Sequence, residues 1–266
     1  MPKLKQKIIL RNILIRIYSI WTLSGFVLIM LILFPLIIIP VLINKNLGNI
    51  SYFMLRIWAR AFSFMSYIRY RIKGKENVDM KKTYIFVSNH TSFLDAPGLV
   101  LAAQRQFRPL GKVELAKIPI LGYIIKNLAV LVKRSSEESR KKSMEDMKEV
   151  LGRGVPILIF PEGTMNRTDK PLQDFYSGAF RLSMESGIEI IPIVLKNGGN
   201  LLPPSTLTAK PGIVDIQVCP SLNPKDFNTA EEMSDYVWKL MNEELGRGHV
   251  TEVDKEQGTG ASSQIA

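Results

Sequence analysis

One cysteine, Cys219, and two histidines, His90 and His249, are all the thiol and imidazole that this 266-residue chain contains. A lone thiol closes no intramolecular disulfide, and neither a cysteine cluster nor a zinc set of Cys and His can be assembled. Chemistry without a metal or other cofactor is the default. Acidic residues are also scarce, with 24 Asp+Glu against 35 Lys+Arg and a formal net charge of +11. Such basicity suits nucleic acid, an anionic membrane surface or a phosphorylated substrate, and composition does not choose among them. The basic residues are scattered, however, and no strip of interleaved aromatics accompanies them, so nucleic acid is not an expected partner. Charged and hydrophobic fractions of 22% and 46% exclude wholesale disorder, collagen-like repetition and a polytopic transporter.

Charge is missing altogether between Arg16 and Lys45, and Ile20 to Ile43 is an apolar run interrupted by little more than Pro35 and Pro40. A helix of that length reaches roughly 40 Å, beyond the hydrocarbon core of a bilayer. Lys3, Lys5, Lys7, Arg11 and Arg16 precede it in the manner of a secretory signal. The run is too long for one and no small-x-small cleavage site follows, so a retained anchor is predicted. From Ser51 to Tyr67 the pattern changes: Arg56, Arg60 and Ser63 share a narrow stripe, with Tyr52, Phe53, Leu55, Ile57, Trp58, Phe62, Phe64 and Met65 around the rest. This describes a helix lying at the headgroups, or else a core helix snorkelling two arginines. A single span and a one-sided anchor, bent or returning within one leaflet, both satisfy the sequence. The free cysteine and the chemistry below place the soluble part in the cytosol, on the cytoplasmic face of the inner membrane.

Beyond residue 67, β-rich runs recur at Ile68–Ile72, Tyr84–Ser88, Leu128–Val132, Val155–Phe160, Ile190–Leu195 and Ile213–Val218, separated by helix-like stretches. Alternation of this kind predicts an α/β fold, a largely buried sheet flanked by helices. Ser135 and Glu138 are spaced as a capping box opening a helix that closes before Gly152; further helices are expected over Gly178–Glu185 and Ala230–Leu245. The expected organisation is an anchor over 1–67, a catalytic domain over 68–245 and a disordered Gly/Ser-rich tail over 246–266.

Two strand ends carry the candidate chemistry. Tyr84–Ser88 runs into Asn89-His90-Thr91-Ser92-Phe93-Leu94-Asp95, followed by Ala96-Pro97. Across a strand-to-helix turn, a carboxylate five residues on can fold back and fix one nitrogen of the imidazole while the other faces a substrate hydroxyl. The plainer alternative is that Asp95 caps a helix and His90 is a polar loop residue. Since His249 sits beside the predicted tail, any imidazole base must be His90. The second strand end is Phe160-Pro161-Glu162-Gly163-Thr164, with Met165, Asn166 and Arg167 following. Here glycine lets backbone N–H groups approach an anion, while Thr164 and Arg167 add donors. Read alone, this is as much an ordinary loop as a phosphate cradle.

Taken together, these segments and Ile191-Pro192-Ile193 resemble the His-x4-Asp glycerolipid acyltransferases, specifically the 1-acyl-sn-glycerol-3-phosphate (lysophosphatidic acid) acyltransferase family. The likeness runs over roughly residues 68 to 222, through Lys112-x-Glu114-Leu115 with Pro119 and Gly122, Phe175-x-x-Gly178-Ala179-Phe180 and Pro211-Gly212. It implies that His90, paired with Asp95, deprotonates the free hydroxyl of a lysophospholipid, which attacks the thioester of an acyl carrier protein or acyl-CoA without a covalent acyl-enzyme. It also implies an acceptor site at Glu162, Gly163 and Thr164.

Two departures bear on the acceptor. Met165 stands where the family usually has Arg, and Lys133-Arg134 where it usually has Asp-Arg. Arg134 is then the leading phosphate ligand, with Arg167 able to substitute for the missing guanidinium; Lys112 either meets the acidic headgroup or is a surface lysine. Lysophosphatidic acid and an amino-acid-containing lysolipid, such as a lyso-ornithine or lyso-glycine lipid, both remain open as acceptors. A thioesterase using the same pair on water, and a membrane-tethered anion-binding module, are the rivals from other classes.

Overall fold

Apolar residues alternate along short strands so that successive side chains face opposite layers of helix. In the computed structural model, which describes residues 2–44, 47–118 and 121–247, the strands are β1 (Ile68–Lys73), β2 (Ile85–Ser88), β3 (Arg108–Lys112), β4 (Val130–Val132), β5 (Ile157–Ile159), β6 (Ile190–Lys196) and β7 (Gly212–Val218). They form one sheet in the order β1-β7-β6-β2-β5-β3-β4. Neighbours are parallel except β6 and β7. Tyr84, Phe86, Leu158, Ile191, Ile193 and Leu195 enter one core, while Ile85, Val87, Ile157, Ile159, Ile190 and Val194 enter the other. A sheet buried on both faces is the reason these runs are apolar throughout.

The first core is closed by α3 (Asp95–Ala102) and the second by α5 (Glu137–Gly152), α6 (Gly178–Ser186) and α8 (Ala230–Gly246). Two short helices, α4 (Leu121–Leu128) and α7 (Gly198–Leu201), follow β3 and β6. Helix α6 stops at Gly187, which takes φ +68°, as its glycine predicts. Helix α5 opens one residue later than its sequence suggests: a turn joins Ser136 N–H to the Lys133 carbonyl, and Ser136, not Ser135, accepts the Ser139 N–H at 3.1 Å. Strand β3 is absent from the expected set because Arg108-Pro109-Leu110-Gly111-Lys112 carries two strand breakers. The fold accommodates them by changing partner mid-strand: Arg108 and Pro109 pair with β5, Leu110 to Lys112 with β4.

Ahead of the sheet, α1 (Pro2–Ile43) and α2 (Gly48–Met65) form an antiparallel hairpin. Phe26 packs edge-on against Trp58 and Phe62, and Trp21 Nε1 donates to the Met65 carbonyl at 3.2 Å. Helix α1 does not dip and return, since Pro35 and Pro40 both lie within one continuous helix. Nor is α2 coated evenly with lipid-like surface: Tyr52, Trp58 and Phe62 are buried against α1 and α3, while Phe53 and Phe64 stay exposed. The core-helix alternative thus describes its buried face. Among the expected features, Pro119, His249 and the tail from 248 onward lie outside the described residues.

Candidate active site

Because β2, β5, β3 and β4 are parallel, their C-terminal ends open on one edge of the sheet, where binding crevices of α/β sheets form. The segments bearing His90, Glu162, Lys112 and Arg134 follow or end those four strands. This juxtaposition joins residues 90 and 162, which the sequence separates by α3, β3, α4, β4, α5 and β5.

After β2 the chain does not leave the sheet at once. Asn89, fully buried, takes the place of a further strand residue: its Oδ1 accepts the Leu195 N–H and its Nδ2 donates to the Leu195 carbonyl, both at 2.8 Å. The His90 backbone is then held from both sides. Its N–H donates to Glu162 Oε1 at 2.9 Å and its carbonyl accepts from Asn166 N–H at 2.6 Å. The imidazole stacks on Phe160 with ring centroids 4.1 Å apart. Its Nδ1 donates to Asp95 Oδ2 at 2.8 Å, and the same oxygen accepts the N–H groups of Thr91 and Ser92. With two backbone N–H groups already donating to it, that oxygen serves as an acceptor, so the Nδ1 proton points to it and Nε2 is the ring nitrogen that Asp95 does not engage. Asp95 is fully buried as the first residue of α3, and the His90 side chain keeps 23% of its surface exposed. Gly198 and Gly199 press against this turn; a Cβ on Gly198 would stand 3.2 Å from Asp95 Oδ1, which has no hydrogen-bond partner.

Glu162 is present but faces inward. While Oε1 holds His90, Oε2 accepts the Gln173 N–H at 3.0 Å. Burial pushes its carboxyl above the ordinary value, against the lowering by its hydrogen bonds to Gln173 and His90. Its geometry is that of a clamp between two loops. Gly163, at φ +72°, presents its backbone to Arg134: an added Cβ would lie 3.0 Å from an Arg134 Nη1 and 2.7 Å from the Tyr176 ring. Partial burial draws the Arg134 guanidinium below its usual range, opposed by Tyr176 and Glu114. Arg134 makes no ion pair among the described residues. Thr164 and Arg167 are exposed on the same loop, and no hydrogen bond or ion pair joins Arg167 to Arg134. Lys112 is half-buried, opposite Val132 in the β3–β4 register, two residues before Arg134.

The supporting roles of Asn89, Phe160, Asn166 and the Gly198-Gly199 pair are not legible in the sequence. Only the last leaves a signal, a Gly-Gly step directly after a strand. Among the described residues, no three His, Cys, Asp or Glu side chains cluster as metal ligands would.

Comparison with known proteins bears on this constellation. A family model described as Acyltransferase matches residues 69–196. The chain is 33% identical over 187 residues to a 1-acyl-sn-glycerol-3-phosphate acyltransferase of Chlamydomonas reinhardtii, covering 69% of this chain and 55% of the relative. Identity is 32% over 154 residues to the chloroplastic enzyme of that name in Arabidopsis thaliana (57% and 42%). It is 28% over 152 residues to the one in Borreliella burgdorferi (57% and 60%). The chain spans about half the length of the plant and algal relatives it matches. Its fold is that of the crystal structure of the lysophosphatidic acid acyltransferase PlsC from Thermotoga maritima. The TM-score is 0.74 at 21% identity, covering 91% of this chain and 97% of that one. With its His-x4-Asp turn and Glu-Gly-Thr loop joined at one sheet edge, the segment 69–196 matches the acyltransferase family, and the chain is similar to 1-acyl-sn-glycerol-3-phosphate acyltransferases.

Proposed function

We propose that this protein is a membrane-associated O-acyltransferase that moves a fatty acyl group from acyl carrier protein or coenzyme A to the sn-2 hydroxyl of lysophosphatidic acid, giving phosphatidic acid. The observation that carries the reading is the 2.8 Å bond from His90 Nδ1 to Asp95, which leaves Nε2 for a substrate proton. In the reaction, Nε2 takes the proton of the acceptor hydroxyl as its oxygen bonds to the thioester carbonyl carbon. The tetrahedral intermediate collapses with loss of the C–S bond, and the departing thiolate takes the proton back from the imidazolium. Asp95 holds the ring and stabilises its charged form. Glu162 is a positioning residue, acting through the His90 backbone.

A phosphate-bearing acceptor is favoured over an amino-acid lysolipid by Arg134, a cation without an ion pair among the described residues and set against Gly163. The acceptor in the relatives' names supports the same choice. We further place the protein one-sidedly on the inner membrane with its catalytic part, residues 68–245, in the cytoplasm. Supporting this, α1 touches the remainder of the chain at the start of its apolar run and again within it, Ser19 accepting the Ala209 N–H and Phe34 packing on Tyr123. Two contacts about 22 Å apart along the helix axis favour a one-sided seat over a crossing of a ~30 Å core away from that layer.

The test is to incubate wild type and His90→Ala with acyl carrier protein and coenzyme A thioesters and a pool of lysophosphatidic, lyso-ornithine and lyso-glycine lipids, identifying products by mass spectrometry. Phosphatidic acid should form at least ~100-fold faster with wild type, at equal melting temperature. Near-wild-type turnover by His90→Ala would remove the base; an acylated amino lipid would replace the acceptor; free fatty acid released without acceptor would make the protein a thioesterase.

A further inference from the structure

A cleft of about 460 Å³ opens between the C-terminal half of α2 and the edge strand β1. Four cations converge on it: Arg56 and Arg60 from successive turns of α2, Arg69 from β1, and Lys75 just beyond that strand. No carboxylate lines it. Cations nearby are treated differently, since Arg71 on the same strand pairs with both oxygens of Asp215, and Lys82 meets Glu189 at 3.1 Å. The four in the cleft form no ion pair among the described residues, and Arg56 Nε is buried without a hydrogen-bond partner. Like charges gathered in a partly enclosed space repel one another until an anion enters.

The rim indicates which anion. Phe64 and Tyr67 stand 87% and 71% exposed at its edge, and Tyr67 sits in the left-handed region at φ +51°, a turn that holds its ring outward. Exposed rings beside unpaired cations, at the end of an apolar hairpin, suit the level where acyl chains give way to phosphates. His90, Asp95, Glu162 and Arg134 do not line the cleft. Its connection to the catalytic turn is Tyr70, which lines it and whose hydroxyl donates to the Leu94 carbonyl at 3.1 Å.

We infer that this cleft binds the phosphate headgroup of an anionic membrane phospholipid, at a site separate from the catalytic loop. The inference stands whether or not the acyl-transfer reading holds. Because α1 would retain the chain in any bilayer, vesicle binding does not discriminate. Native mass spectrometry of the full chain in non-ionic detergent does, with phosphatidylglycerol, phosphatidylcholine and inorganic phosphate titrated in turn. Wild type should retain one phosphatidylglycerol more tightly than phosphatidylcholine. The double variant Arg60→Gln/Arg69→Gln should bind it roughly tenfold more weakly, and Arg71→Gln as wild type does. Both substituted side chains are exposed, thermal melts confirm the fold, and Lys75→Gln, in an exposed turn, gives a second reading. Unchanged affinity in these variants, or equal retention of phosphatidylcholine, would overturn the site. Displacement by inorganic phosphate at the same concentration as by the lipid would overturn the lipid as occupant.

Discussion

Gly163 and Arg134 make the proposed acceptor loop testable one atom at a time. A methyl group at Gly163 meets the Tyr176 ring at 2.7 Å and forces an L side chain into φ +72°. Gly163→Ala should therefore cost about 1–3 kcal/mol, seen as a lower melting temperature, and raise the KM for the acceptor because the loop must shift away from Arg134. Arg134→Gln should leave the fold intact, since the side chain makes no ion pair among the described residues. Its expected effect is a rise in acceptor KM of roughly tenfold or more with a smaller change in kcat, measured by steady-state kinetics against lysophosphatidic acid. A fall in kcat alone would assign Arg134 to the transition state. His90 and Asp95 were legible at this scale because a histidine and an aspartate five apart after a strand have one compact way to meet. The inward turn of Glu162 was not, because its partners, His90 and Gln173, are supplied from 72 and 11 residues away.

Elements are joined here by bonds beyond the regular strand ladder, one of them through a side chain that stands in for backbone. Asn89 extends β2 toward β6 through Leu195, and Cys219 closes β7 onto the same strand, its N–H donating to the Pro192 carbonyl at 2.9 Å. Burial pushes the Cys219 thiol up from its ordinary 9.0 to about 11, reinforced by Glu244 and opposed by Lys196 and Arg247. Between those two values the unfolded chain has released a proton that the folded one keeps. The thiol's contribution to stability is thus complete below pH 9.0 and is lost as pH rises toward about 11. Thermal melts across this range should fall more steeply for wild type than for Cys219→Ala. Thiol labelling at neutral pH should be negligible until the protein unfolds; prompt labelling would show that the β7–α8 junction opens.

Across the whole molecule, the hairpin of α1 and α2 is part of the core as well as the proposed membrane-facing surface. Phe26 and Ile29 of α1 pack on buried Trp58, Ala59 and Phe62, which in turn meet α3, the helix that begins with Asp95. Each such side chain stabilises the fold by about 1.5–3 kcal/mol when buried, so a chain truncated before Gly48 should aggregate or melt well below the full chain, even in detergent. A truncated, monomeric and active protein would show instead that α1 serves only as an anchor. The outward stripe of Ile20, Leu28, Ile32, Leu36 and Ile43 is exposed along the same helix that buries Ile37 and Val41. The sequence by itself determined the α/β class, the long apolar helix α1 and the His90–Asp95 pair, because periodicity, apolar length and a five-residue turn are local properties. Only the tertiary structure decided that α1 lies against the sheet layer, that β3 exists despite Pro109 and Gly111, and that Arg134 reaches Gly163. Each of those rests on partners far along the chain, where long-range packing overrides what neighbouring residues favour.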